Sequence, residues 1–243
     1  AAMIGPLPQG HSMPYFMSDP FMLRVINANF RLGTPRHAAA LAAYAARTDG
    51  LAKARIAALQ LLTSWGQPSQ RDLIVGLFRP LAPRDEKVAA AALSKVLPEI
   101  LRTAPTDVRK QALETAEKFK TKEAAPVLFE LLANDKLMAD TRVAALKALV
   151  ATGDVRITEA LKIATADKNA AVRNEGNKYK AQMNPEGSIT ALGEIIEKGA
   201  SVIERQGALQ TLGTINDAKA DDIILKWVDA LAVGKAPKEL QLE

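Results

Sequence analysis

The stretch Thr141-Arg142-Val143-Ala144-Ala145-Leu146-Lys147-Ala148-Leu149 decides the fold, because the chain repeats it. Anchored on its arginine, it aligns almost position for position with Ala54-Arg55-Ile56-Ala57-Ala58-Leu59-Gln60-Leu61-Leu62. Further copies begin at Val108-Arg109 and Glu204-Arg205, and weaker ones at Leu23-Arg24, Val172-Arg173 and Val88-Ala89, where Ala89 takes the anchor place. The anchors 24, 55, 89, 109, 142, 173 and 205 stand 31, 34, 20, 33, 31 and 32 residues apart. A recurring spacing of this size marks an array of supersecondary units.

The columns of the alignment make physical sense. Three residues past the anchor come Asn27, Ala58, Ala92, Ala112, Ala145, Gly176 and Ala208, and four past it Ala28, Leu59, Leu93, Leu113, Leu146, Asn177 and Leu209. Seven past it come Arg31, Leu62, Val96, Ala116, Leu149, Lys180 and Leu212. Apolar residues at these offsets form one stripe of a 3.6-residue helix. Small residues within the stripe let a neighbouring helix approach closely. The column five past the anchor is polar throughout, from Asn29 and Gln60 to Gln210, and is expected to face water. The helix at Arg173 departs most, with Gly176, Asn177 and Lys180; a rotated stripe of Val172, Gly176, Tyr179 and Met183 is expected there, in the least stable helix of the set.

Second helices are expected between the anchored ones, over 34–47, 68–80, 121–133, 155–166, 187–198 and 217–233. Thr34-Pro35, Gln67-Pro68, Asp217 and Gly199 supply start and stop signals. Pro98 cuts the interval before Arg109 short, leaving a truncated helix to Thr103. The fold class is therefore all-α, an α–α superhelix of HEAT-like or armadillo-like type with about six to seven helix pairs. The expected organisation is an extended tail over 1–18, one cooperative right-handed solenoid over 19–235, and a tail over 236–243.

Composition narrows the chemistry. The 243 residues include 44 Ala and 29 Leu, two histidines and no cysteine, which excludes disulfides, thiolate metal sites and c-type haem attachment within this segment. The longest apolar run, Ala38–Ala46, has nine residues, whereas a membrane span needs about 20. The net charge is +5, divided as +7 over 1–150 and −2 over 151–243. The chain begins at Ala1 without an initiator Met, and is read as a piece of a longer or processed protein.

The arginine column, Arg24, Arg55, Arg109, Arg142, Arg173 and Arg205, admits two readings. It is a phosphate-binding stripe, or a structural ladder with the aspartates that precede it: Asp19, Asp49, Asp140 and Asp167. The mixed solvent column lacks a phosphate track and favours the ladder. Those aspartates can also cap the anchored helices. Lys110, Lys118, Lys120 and Lys122 interleave with Glu114, Glu117 and Glu123, and Glu114 with Lys118 makes a favourable i,i+4 pair. His11 with Met3, Met13, Met17 and Met22 is a copper-binding composition without a fixed ligand spacing; covering the first helix pair with Tyr15 and Phe16 is the simpler use. His37 is expected exposed, Trp65 and Trp227 in the core or at a solenoid end, and Asp217, Asp221 and Asp222 at a helix N-terminus. No nucleotide-binding, hydrolase or zincin motif occurs. No catalytic, cofactor-binding or metal residue is assigned, and the chain is expected not to be an enzyme.

On Arg142–Leu149 and Arg55–Leu62 the chain resembles HEAT repeats, whose second helix typically carries a Val-Arg-x-x-Ala-x-x-Ala-Leu-like pattern. A narrower resemblance rests on Ser64-Trp65-Gly66-Gln67-Pro68-Ser69-Gln70-Arg71-Asp72, then Gly76, Arg79-Pro80-Leu81 and Arg84, and on Trp227–Leu231, Gly234, Pro237 and Leu240–Glu243. These look like the helical region of large multidomain bacterial proteins. There it stands between a sugar-dehydrogenase-like β-propeller and a cytochrome c domain. The resemblance implies a scaffold or protein-interaction module, a connector whose partners are another protein or its flanking domains, in a periplasmic or extracellular parent. Any redox chemistry belongs to parts outside this segment. The alternatives are a nucleic-acid-binding or DNA-processing HEAT-like protein, supported by the positive first 150 residues, and a lyase-type HEAT protein acting on a chromophore protein. Nucleic acid, a small-molecule ligand and a membrane span are not expected.

Overall fold

The computed structural model describes residues 19–237 and Leu240. The proposed tail arrangement of residues 1–18, with His11 and its methionines, lies outside the described residues, as do 238–239 and 241–243. The described chain is all-α, of the helical-repeat class expected from the period. It divides into two compact units.

The first unit runs to Leu128 and includes Lys147–Asp154. Its helices are α1 (Asp19–Leu32), α2 (Pro35–Ala46), α3 (Ala52–Thr63), α4 (Glu86–Ser94), α5 (Leu97–Thr103) and α6 (Thr106–Phe119). Helix α3 packs on α1, α2 and α6, so each apolar stripe is covered by its neighbours. The core holds Ile26, Phe30, Leu41, Leu59, Leu62, Trp65, Leu93, Leu97, Ile100 and Leu113. Gly33, at φ 67, ends α1 in the left-handed region, and Pro35 opens α2 where its missing N–H costs no bond.

The second unit comprises Phe129–Leu146 and the described chain from Val155 onward. Its helices are α9 (Ile157–Thr165), α10 (Ala170–Met183), α11 (Pro185–Lys198), α12 (Val202–Leu212) and α13 (Ala218–Ala232). Two further helices, α7 (Ala125–Ala133) and α8 (Ala139–Thr152), carry residues of both units. Ile189, Leu192, Ile196, Ala208, Leu212 and Ala220 form the core here, with Ile195, Leu209 and Trp227 packed against it. Asn169, Asn184, Ser201 and Asp217 cap α10 to α13 through side-chain oxygens.

Several sequence expectations need correction. No helix forms over 68–80; residues 64–85 are a loop with a single antiparallel bridge, Arg71 to Phe78. Pro68, Pro80 and Pro83 remove backbone donors along the segment, and Gly76 takes φ 69. The Asp side chain of residue 72 takes backbone N–H groups that a helix would need. The caps of α10 and α12 are Asn169 and Ser201, while Asp49 pairs with Arg47 at 2.7 Å. Lys118 pairs with Glu86 at 3.2 Å, and Glu114 accepts from Gln111 instead.

In α10 the stripe is Val172, Gly176 and Ala181, with Met183 exposed. A methyl group at Gly176 would lie 2.9 Å from the Ala164 methyl and 3.0 Å from the Thr165 nitrogen. The glycine is there because α10 lies directly on the end of α9. The first copy is also out of phase. Arg24 and Ala28 are exposed, whereas Met22, Ile26 and Phe30 are buried.

Candidate functional site

The repeat arginines do one recurring job. Arg55 Nε donates to the Ala45 carbonyl at 2.9 Å, Arg109 Nε to Leu101 at 2.8 Å, and Arg205 Nε to Ile196 at 2.8 Å. Each acceptor lies in the last turn of the helix preceding the arginine's own, where carbonyls lack an intrahelical donor. A guanidinium there also meets the negative end of the helix dipole. Arg173 donates to the Asp167 carbonyl just beyond α9, and at 2.6 Å to Glu204, which precedes the next repeat's arginine. Arg142 pairs with the Asp167 side chain in the same forward sense. The Arg173 bond holds the Glu204 carboxyl below the usual carboxylate range and raises the guanidinium in return. Burial pushes Arg55 down. Arg24 stands apart, exposed and bonded to Pro20 one turn back.

The surface that does not follow from the repeat is the 64–85 loop on the first unit. Its base is a ring sandwich. The Arg84 guanidinium sits 4.4 Å from the Phe30 ring centre and 4.1 Å from that of Trp65, and the two rings meet edge to face at 5.8 Å. Arg84 also donates to the Phe30 carbonyl at 2.6 Å and the Trp65 carbonyl at 3.3 Å. Burial pushes its pKa down, and the π faces and two carbonyls compensate for the lost water.

Asp72 holds the far part of the loop. Only 4% of it is exposed. It accepts from Ile74 N–H at 2.9 Å, Val75 N–H at 3.2 Å and the Asn27 amide at 3.2 Å, with Arg31 at 3.4 Å and Arg79 at 3.9 Å. The backbone N–H of Ile74, then that of Val75, the Asn27 side-chain amide and the Arg31 charge, hold this carboxyl below its usual range. The hairpin closes with Asp72 N–H to Leu77 at 3.0 Å, Arg79 N–H to Gln70 at 3.0 Å, and the Arg71 guanidinium to Gly76 at 3.0 Å.

With Asp72 and Arg84 turned inward, apolar side chains are left outside beside the exposed Arg71 and Arg79. Leu73 is 52% exposed, Val75 55%, Leu77 62% and Phe78 68%. Sequence reasoning missed this tip by reading 68–80 as a helix. The signals were present: three prolines, and the first repeat copy's Asn27 and Arg31 in columns that are mostly small or apolar, now seen to be the anchors of Asp72.

The second unit carries another apolar feature, a groove of about 670 Å³ between α12, α13 and the C-terminal turn. Leu209, Ile224, Trp227, Val228, Leu231 and Leu240 line it. Trp227 Nε1 is enclosed there without an acceptor. Of the expected acidic cluster, Asp217 caps α13 through Lys219 N–H at 2.8 Å, and Asp221 and Asp222 stay exposed. His37 bonds the Thr34 hydroxyl at 2.8 Å. Among the described residues no three His, Cys, Asp or Glu side chains gather as metal ligands, and no helix is long and apolar enough to cross a membrane.

Comparison with known proteins agrees with the repeat. The family model for HEAT repeats matches residues 93–177, from α4 into α10. No curated protein matches. Among solved structures, the chain is similar to the complex of CpcE and CpcF of phycocyanin lyase from Nostoc sp. PCC7120, with 19% identity and a TM-score of 0.50 over 90% of this chain and 84% of that one. The likeness shows a shared fold. It also corrects the expectation that the chain is not an enzyme, since the same helical fold serves in a lyase. That expectation took a missing local motif as decisive. In a repeat array, working side chains are drawn from several helices and leave no motif in the sequence.

Proposed function

We propose that this chain is a HEAT-type scaffold that binds another protein through the apolar tip of its 64–85 loop. The observation that carries this reading is the reversed polarity of the loop: Asp72 is buried and Arg84 half-buried at its base, each held by hydrogen bonds, while Leu73, Val75, Leu77 and Phe78 face solvent. A rigid apolar projection of this kind is built for a partner's pocket. The arginines that an RNA or DNA groove would need are committed to helix ends and carboxylates.

The test is a photo-crosslinking residue in place of Phe78, with the same residue at exposed Gln60 as control. The Phe78 position should give one discrete adduct, lost when Leu73 and Val75 become Asp. Equal labelling from both positions would remove the reading.

The finer reading is that the scaffold is a connector in a larger chain. Its support is local: Trp65, Asp72, Gly76, Arg79 and Arg84, which carry the resemblance to multidomain bacterial proteins, are the residues that build the loop. HEAT packing alone does not call for them. Sequencing the coding region on both sides tests it. A propeller-like segment upstream and a Cys-x-x-Cys-His segment downstream support the connector; a start codon just upstream and a stop just after Glu243 overturn it.

A second reading rests on the fold match to a phycocyanin lyase complex over 90% of the chain. On it, the chain acts with a partner subunit on a pigment-bearing protein. Mixing the purified chain with phycocyanin and following the visible spectrum tests this, and an unchanged spectrum in the presence of every candidate partner subunit counts against it.

A further inference from the structure

We infer that the hollow between α9 and the end of α10 is a binding site for a small phosphate monoester with an apolar body. It lies wholly within the second unit, whereas the docking tip belongs to the first, so the two sites stand or fall separately.

The repeat breaks at this hollow. Four residues past the anchor the chain has Leu59, Leu93, Leu113, Leu146 and Leu209, but Asn177 on α10. Seven past it come Leu62, Val96, Ala116, Leu149 and Leu212, but Lys180 on α10. The first copy breaks the second of these columns too, and there Arg31 has a use within the chain, the pair with Asp72 at 3.4 Å. Lys180 has none: it is exposed, with no hydrogen-bond or ion-pair partner among the described residues. Giving up an apolar stripe position without an internal partner costs stability, and such local departures mark functional positions.

The hollow is about 350 Å³, within the range of small-ligand pockets. Thr158, Leu161, Lys162 and Thr165 line it from α9, at the three- and four-residue spacing of one helix face. Lys180, Met183 and Asn184 line it from the end of α10. Buried Leu161 and exposed Met183 supply apolar lining. Lys162, like Lys180, is exposed and has no partner among the described residues. No carboxylate is among the described residues that line the hollow. Nearby lysines outside it are paired, Lys178 with Glu175 at 3.7 Å and Lys168 with Asp135 at 3.0 Å. Two unpaired ammonium groups on one concave surface repel each other and concentrate anions there.

Neutral donors complete the set. Asn184 Oδ1 accepts from Gly187 N–H at 3.1 Å to cap α11, which leaves the two amide hydrogens of Asn184 for a ligand. The Thr158 hydroxyl has no partner among the described residues, whereas Thr165 already donates to the Leu161 carbonyl at 2.8 Å. Two positive charges with an amide and a hydroxyl match a dianion bearing three terminal oxygens. A single carboxylate brings less charge and fewer acceptors. Leu161 and Met183 take the apolar body.

Isothermal titration of the whole chain with phenyl phosphate at pH 8, where the ester is a dianion, is the test. Binding should saturate at one site with a Kd on the order of a millimolar or tighter. Lys180→Leu restores the residue that the repeat uses elsewhere, so the melting temperature should hold or rise. The same variant should weaken binding on the order of tenfold or more, and so should Lys162→Gln. Lys198→Gln removes an exposed lysine that does not line the hollow and should leave the Kd within about twofold. Benzoate, with one charge, and phenol, with none, should each bind more weakly than phenyl phosphate. No saturable binding of phenyl phosphate, a Lys180→Leu variant that keeps its affinity, an equal loss from Lys198→Gln, or benzoate binding as tightly as the ester would each overturn the assignment.

Discussion

Asp72 shows how one side chain fixes a functional element. Its carboxyl is held below the usual range by backbone N–H groups first, then by Asn27 and Arg31. The folded state thus binds the proton less well than the unfolded chain, whose Asp titrates near pH 3.9. The stabilisation is complete above that pH and is lost as pH falls through the folded value. Amide hydrogen exchange over the 70–79 hairpin, relative to the intrinsic exchange rate at each pH, should therefore lose protection as the protein is brought from neutral pH to below 4. Asp72→Asn, which keeps one acceptor oxygen but loses the charge, should show faster exchange already at pH 7, by about tenfold. An unchanged rate would mean that the loop is held without this carboxylate. Gly176 gives the second prediction at this scale. Gly→Ala normally favours a helix by about 1 kcal/mol. Here the added methyl meets backbone atoms of α9, which cannot swing away. Gly176→Ala should destabilise by about 1–3 kcal/mol in denaturant melts.

At the scale of elements, the repeat arginine acts as a clamp between consecutive helices. Arg109 closes the end of α5, a seven-residue helix with few bonds of its own. Arg109→Ala should cost about 1–2 kcal/mol, the range for a charge-assisted bond to a carbonyl. Arg24→Ala, at the same alignment position but exposed and bonded within its own helix, should change stability by less than about 0.5 kcal/mol. Chemical denaturation of the two variants side by side checks this, and equal losses would show that the clamp is not what recurs. The clamp explains why an arginine keeps a place beside an apolar stripe: its Nε reaches a carbonyl that would otherwise lack a donor.

For the whole molecule, stability depends on stripes that only neighbouring helices can cover. Leu146 is fully buried in α8. Leu146→Asp places a carboxylate in that contact, and its cost rivals a typical domain stability of roughly 5–15 kcal/mol. Far-UV circular dichroism should show most helicity lost at 25 °C. Wild-type helicity and melting temperature would mean that the repeat register is misplaced.

The period, the helix pairs and the positions of most core residues were legible in the sequence, because a 3.6-residue apolar stripe is a local signal repeated at each unit. Trp65 in the core and Asp217 at a helix start were legible for the same kind of reason. The register of α1 was not. Asn27 and Arg31 interrupt its stripe to hold Asp72, a residue forty-five positions beyond Asn27. Nor was the loop, since its prolines and glycine compete in the sequence with a helical spacing. What decides for the hairpin is the buried carboxylate and the Arg84 sandwich, both made by residues distant along the chain. Local periodicity thus determined that this protein is a helical repeat. Only tertiary contacts decided where it is not one, because burying Asp72 and Arg84 requires partners on other helices, and satisfying them turns the apolar tip outward.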